Sequence, residues 1–116
     1  MGSVAIVDDD YAGRDSLRCL LEVVGYTVET FESAAEFLSG DRENLACLIL
    51  DHHMPHMTGL QLAENLRAEG AAIPILLITG SPSPTIVARA TELGIKVLKK
   101  PTGEEDLLHF IDAARH

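Results

Sequence analysis

The run Leu48-Ile49-Leu50-Asp51 constrains the fold most: an apolar stretch ends abruptly in a carboxylate, with Pro55 and Gly59 following within eight residues. Such a run reads as a strand buried on both faces that hands one acid to a loop at a sheet edge. Three other runs are built alike. Val4-Ala5-Ile6-Val7 leads into Asp8-Asp9-Asp10, Ile75-Leu76-Leu77-Ile78 into Thr79-Gly80, and residues 95–98 into Lys99-Lys100-Pro101. Residues 26–31 alternate imperfectly, with Tyr26, Val28 and Phe31 set against Thr27, Glu29 and Thr30, the pattern of an edge strand.

Helical spacing fills the gaps between these runs. Leu17, Leu20, Leu21 and Val24 predict a helix over about 12–24, stopped by Gly25. Ser33 with Glu36, Thr58 with Gln61 and Thr102 with Glu105 have the spacing of capping boxes. They introduce a short helix carrying Phe37 and Leu38, a helix whose inner face is Leu62 and Leu66, and a last helix bearing Leu107, Leu108 and Ile111. Ser83, Pro84 and Thr85 open a further helix with Ile86, Val87, Ala90 and Leu93, closed by Gly94. The alternation βαβαβαβαβα predicts an α/β domain with a parallel sheet covered on both faces.

One domain over residues 1–116 is expected, and that length suffices for a real core. No apolar run approaches membrane-spanning length and no signal peptide is evident, so no membrane association is expected. Cys19 and Cys47 stand in apolar settings without metal-like spacing and read as two reduced core thiols, which suits a cytoplasmic location. A formal charge of −9 argues against direct nucleic-acid binding by this domain. The sequence stops soon after its last helical pattern, so no output domain is expected within it.

Parallel sheets of this kind do their chemistry at the carboxyl ends of strands. Here those ends deliver Asp8, Asp9, Asp51, Thr79 and Lys100 to one edge. Clustered carboxylates repel, and a divalent ion relieves the repulsion; hard oxygen ligands suit Mg²⁺, with Mn²⁺ able to substitute. Asp9 reads as a direct ligand and Asp8 as one acting directly or through water, while Asp10 reads as a helix cap or surface acid. A carboxylate beside a metal, a lysine and a hydroxyl suits phosphoryl transfer, with Asp51 as nucleophile, Lys100 pairing with it and Thr79 donating to a phosphoryl oxygen. Lys99 should point the other way by strand alternation.

The set Ile6-Val7-Asp8-Asp9-Asp10, Asp51-x-x-Met54-Pro55-x-x-x-Gly59, Ile78-Thr79-Gly80 and Lys100-Pro101 resembles the receiver domain of two-component response regulators, in that family's order and over almost the whole chain. Asp-Ser-Leu-Arg-x-Leu-Leu and Phe-Glu-Ser-Ala-x-x-Phe-Leu look most like the nitrogen-fixation regulator branch, which often carries a helix-turn-helix output. The resemblance implies a doubly wound, flavodoxin-like three-layer fold with strand order 2-1-3-4-5. It implies phosphorylation of Asp51 by a sensor histidine kinase or phosphotransfer protein. Asp8, Asp9, Asp51 and the backbone carbonyl of His53 would hold the metal, Thr79 would be the switch hydroxyl, and Gly80 the small residue beside it. A homodimer through the fourth helix, fifth strand and fifth helix is a family-based expectation.

Two positions depart from the family pattern. Val97 stands where an aromatic usually swings into space vacated by the threonine, and valine has no ring to swing. Thr102 replaces a common phenylalanine. Val97 keeps open the reading of a degenerate receiver acting as a constitutive interaction module. A third reading is a phosphoester hydrolase, disfavoured by the lack of an insertion able to cap a substrate. His52, His53 and His56 invite a transition-metal reading, but adjacent side chains diverge, and they read as loop residues with His53 placed to tune the phosphorylation pocket.

Overall fold

The computed structural model describes residues 2–115. Ten elements alternate: β1 (Ser3–Val7), α1 (Tyr11–Val24), β2 (Val28–Phe31), α2 (Ala34–Ser39), β3 (Leu45–Asp51), α3 (Gly59–Ala68), β4 (Ile75–Thr79), α4 (Pro84–Glu92), β5 (Lys96–Lys99) and α5 (Glu104–Ala114). The strands form one parallel sheet in the order β2-β1-β3-β4-β5, the doubly wound topology anticipated above.

Period-two alternation along the strands sorts the core into two halves. Ala5, Val7, Leu48, Leu50, Ile75 and Leu77 face Phe37, Leu62, Leu66 and Ala90 from α2, α3 and α4. Val4, Ile6, Cys47, Ile49, Leu76 and Ile78 face Leu21 from α1 and Leu107, Phe110 and Ile111 from α5. Each fully buried Leu or Ile contributes about 1.5–3 kcal/mol, so the sheet is held from both sides. The register levels the strand ends: Val7 pairs with both Phe31 and Leu50, Asp51 with Ile78, and Thr79 with Lys99. That levelling sets the functional groups on one edge.

Local chemistry accounts for the differences from the sequence reading. β2 begins at Val28 rather than at residue 26, because Gly25 takes a left-handed φ of 113° and the Tyr26 N–H donates back to the Leu21 carbonyl, closing α1. The Ser33–Glu36 box is half formed: Ser33 Oγ accepts from the Glu36 N–H, but the Glu36 carboxylate reaches the Glu32 N–H instead. The Thr58–Gln61 box is complete. The Thr102–Glu105 box is absent: Gly103 is the N-cap of α5, without a side-chain bond, and Glu104, Glu105 and Asp106 place negative charge on its first turn. Cys19 is exposed, and only Cys47 is a core thiol. Val24 and Val87, members of the apolar helical patterns of α1 and α4, are 46% and 43% exposed. No helix among the described residues is long and apolar enough to cross a membrane.

Candidate functional site

The loop after β1 builds the acidic side of the strand-end edge. The Asp10 N–H donates to Asp8 Oδ1 at 2.9 Å, and Asp10 itself caps α1, its carboxylate accepting from the Gly13 N–H. A Cβ on Gly13 would sit 3.1 Å from Asp10 Oδ2 and 3.3 Å from Asp8 Oδ2, so a larger residue there would press on both carboxylates. Arg14 Nη1 donates to the Asp8 carbonyl at 2.7 Å, a tether that the sequence reading missed although it lies one turn into the helix.

Asp51 ends β3 on the face of Ile49 and is 6% exposed. Asp8, Asp9 and Asp51 each present a carboxylate oxygen, all within 4.8 Å of one another. Lys100 Nζ lies 2.7 Å from Asp51 Oδ1 as an ion pair, although that buried oxygen has no donor in good hydrogen-bond geometry. Burial raises the Asp8 carboxyl above its usual range; the Asp10 N–H opposes this and the Asp51 charge adds to it. Burial works against the charge on Lys100, but Asp51 beside it, with Asp8 and Asp10 further out, outweighs that and raises its pKa. Asp8, Asp51, Lys100, Ile6 and Ile49 help line a cavity of about 30 Å³, room for one small ion or water. Converging anionic oxygens, one buried without a good donor, fit a small divalent cation.

Strand alternation places Asp51 and Lys100 on the α1–α5 face and puts Thr79 with Ile75 and Leu77 on the other. Thr79 is fully buried. Its Oγ1 accepts from the Ser81 N–H at 3.1 Å and lies 3.0 Å from His53 Nε2, while its carbonyl accepts from the Lys100 N–H at 2.9 Å. The bond between His53 and Thr79 was not anticipated, since His53 lies in a loop where the sequence does not fix the side chain's direction. A Cβ on Gly80 would meet nothing within 4 Å, so the approach beside Thr79 is open. Val97 is part-buried against the α2–α4 core, in register with Leu77, and Lys99 is exposed.

The loop after Asp51 is fixed by its backbone. The His52 N–H donates to Ile78 O, and the His52 carbonyl accepts from both Met54 and Gly59. Gly59 opens α3 so close to the strand that a Cβ would lie 2.5 Å from the Asp51 carbonyl oxygen, which explains the glycine of that motif. Burial lowers the His52 pKa, helped by neighbouring His53 and opposed by Asp51. His56 is exposed with a φ of 69°. Among the described residues, the histidines join no converging metal-donor group; only Asp8, Asp9 and Asp51 form one. A groove of about 640 Å³, lined by Arg42 and Glu69 among others, lies at the opposite, amino ends of β3 and β4, remote from these groups.

Known proteins resemble this chain in sequence and fold. The profile described as "Response regulator receiver domain" matches residues 4–112. The response regulator protein TodT of Pseudomonas putida is 39% identical over 113 residues, covering 96% of this chain and 50% of TodT. The transcriptional regulatory protein FixJ of Bradyrhizobium diazoefficiens is 33% identical over 115 residues, covering 97% of this chain and 56% of FixJ. The crystal structure of FixJ-N superposes with a TM-score of 0.88 at 31% identity, covering 99% of this chain and 94% of that one. The chain thus spans about half the length of the curated relatives it matches.

Proposed function

The chain belongs to the response regulator receiver domain family, and from that premise we propose that Asp51 accepts a phosphoryl group from a phosphohistidine on a sensor kinase or phosphotransfer protein. The observation that carries this reading is the buried Asp51 carboxylate, gathered with Asp8 and Asp9 and paired with Lys100 at 2.7 Å. Asp51 Oδ attacks phosphorus, an O–P bond forms, the N–P bond breaks, and the donor imidazole leaves with the electron pair. Lys100 offsets negative charge on the oxygens in transfer, Gly80 leaves the approach open, and the Thr79 hydroxyl donates to a phosphoryl oxygen once transfer is complete. Asp8, Asp9, Asp51 and the His53 carbonyl would hold Mg²⁺, which supplies Lewis-acid neutralisation of the phosphoryl oxygens when bound. Water attack on phosphorus later breaks the Asp51 O–P bond and releases inorganic phosphate.

The output is a change of conformation rather than turnover of external substrates. New charge at Asp51 draws Thr79 and its loop, and the change reaches a partner or a second copy through α4, β5 and α5. Val97 supports the rival reading of a constitutive interaction module, and one measurement separates the two. Incubation with acetyl phosphate and Mg²⁺ should add the mass of one phosphoryl group to the chain, and Asp51→Asn should abolish the gain. An unmodified wild-type chain would favour the constitutive module.

A further inference from the structure

We propose that the His53 imidazole is a latch on the Thr79 hydroxyl, a positioning residue that the phosphoryl group must outcompete; this rests on Asp51 being the phosphoacceptor. Thr79 Oγ1 has one proton and two lone pairs. The Ser81 N–H occupies one lone pair, so the 3.0 Å contact with His53 Nε2 takes either the hydroxyl proton or the remaining lone pair. In either tautomer of His53, the imidazole holds the hydroxyl on the face of the sheet opposite Asp51 and Lys100.

A phosphoryl oxygen on Asp51 accepts only, so it needs that proton. Turning Thr79 toward it breaks the bond to His53. Thr79 is fully buried whereas His53 is exposed, so the imidazole can leave its place without a core rearrangement. Val97, part-buried in register with Leu77, offers no ring to follow the threonine. The resting position of the switch hydroxyl is therefore set from the β3–α3 loop, by a residue two places after Asp51.

The test is a double-mutant cycle read by binding of beryllofluoride, a tetrahedral phosphoryl mimic, to the Mg²⁺-loaded chain. Loss of one hydrogen bond from the resting state should tighten binding to His53→Ala by about two- to tenfold. His53→Gln, whose amide can stand near the Nε2 position, should return binding toward the wild-type value. In Thr79→Ala the His53→Ala effect should vanish, and in Thr79→Ser it should persist. An equal effect of His53→Ala in the Thr79 and Thr79→Ala backgrounds, or weaker binding, overturns the latch alone. A wild-type chain that binds no beryllofluoride overturns the phosphoacceptor reading and the latch with it. A separate arm needs no phosphoryl mimic: the ¹⁵N resonance of His53 Nε2 should shift on Thr79→Ala, and an unmoved resonance overturns the latch.

Discussion

Cys47 lies at 0% exposure among Val4, Ile49 and Phe110, and that burial pushes its thiol up from 9.0 to about 12 against a weaker opposing pull from Arg115. The raised value has a definite sign. Between pH 9.0 and about 12 the thiolate forms readily only in the unfolded chain, so the folded state binds more protons and loses stability as pH rises. The loss should approach about 1.4 kcal/mol per pH unit in that window. Urea titrations at stepped alkaline pH should show a shallower decline for Cys47→Ala than for wild type, whatever the constant cost of the cavity. Parallel curves would place Cys47 in contact with water. Cys19 should alkylate in the native chain and Cys47 only after unfolding. Cys19 lies off the stripe formed by Leu17, Leu20 and Leu21, so its exposure was readable from helical spacing; the apolar neighbourhood obscured it.

At the scale of elements, four strands announced themselves through apolar runs and β2 through an imperfect alternation, whereas the ends of elements depended on where backbone groups find partners. The Tyr26 N–H is used by the end of α1, which shortens β2, and no side-chain pattern records that. The same holds for the caps. Thr58 and Gln61 satisfy two backbone donors at the start of α3, while the equally plausible pair Thr102 and Glu105 satisfies none, because α5 starts one residue later on Gly103. Thr58→Ala should therefore cost about 1 kcal/mol in urea denaturation. Thr102 Oγ1 is buried without a partner, so Thr102→Val should raise stability by about 1 kcal/mol. A fall in stability for Thr102→Val would show that its hydroxyl is bonded in solution.

At the scale of the whole molecule, levelled parallel strands bring the ends of four separate stretches of sequence to one edge, and this is why the meeting of Asp8, Asp9, Asp51 and Lys100 there was legible in the sequence. Which partner the Thr79 hydroxyl takes was not legible, because it depends on His53, whose place in the β3–α3 loop strand alternation does not reach. The same assembly has an energetic signature. A chain of formal charge −9 brings Asp8, Asp9 and Asp51 together, with Lys100 paired directly to Asp51, so without metal the edge stores repulsion between carboxylates. A cation that binds only the folded arrangement converts that cost into stabilisation by linkage. At free Mg²⁺ ten times its dissociation constant the gain is about 1.4 kcal/mol, a rise of about 5 °C in Tm for a domain of this size. Sodium chloride at matched ionic strength should give only the smaller rise due to screening. Asp9 is exposed and outside the core, so Asp9→Asn separates the two contributions. Without Mg²⁺ the variant should be as stable as wild type or more so, since one repelling charge is gone; with Mg²⁺ it should be the less stable, since one ligand is gone. Thermal scans of both proteins with and without Mg²⁺ should therefore cross in rank, and an unchanged order would mean that the acids gather without holding a cation.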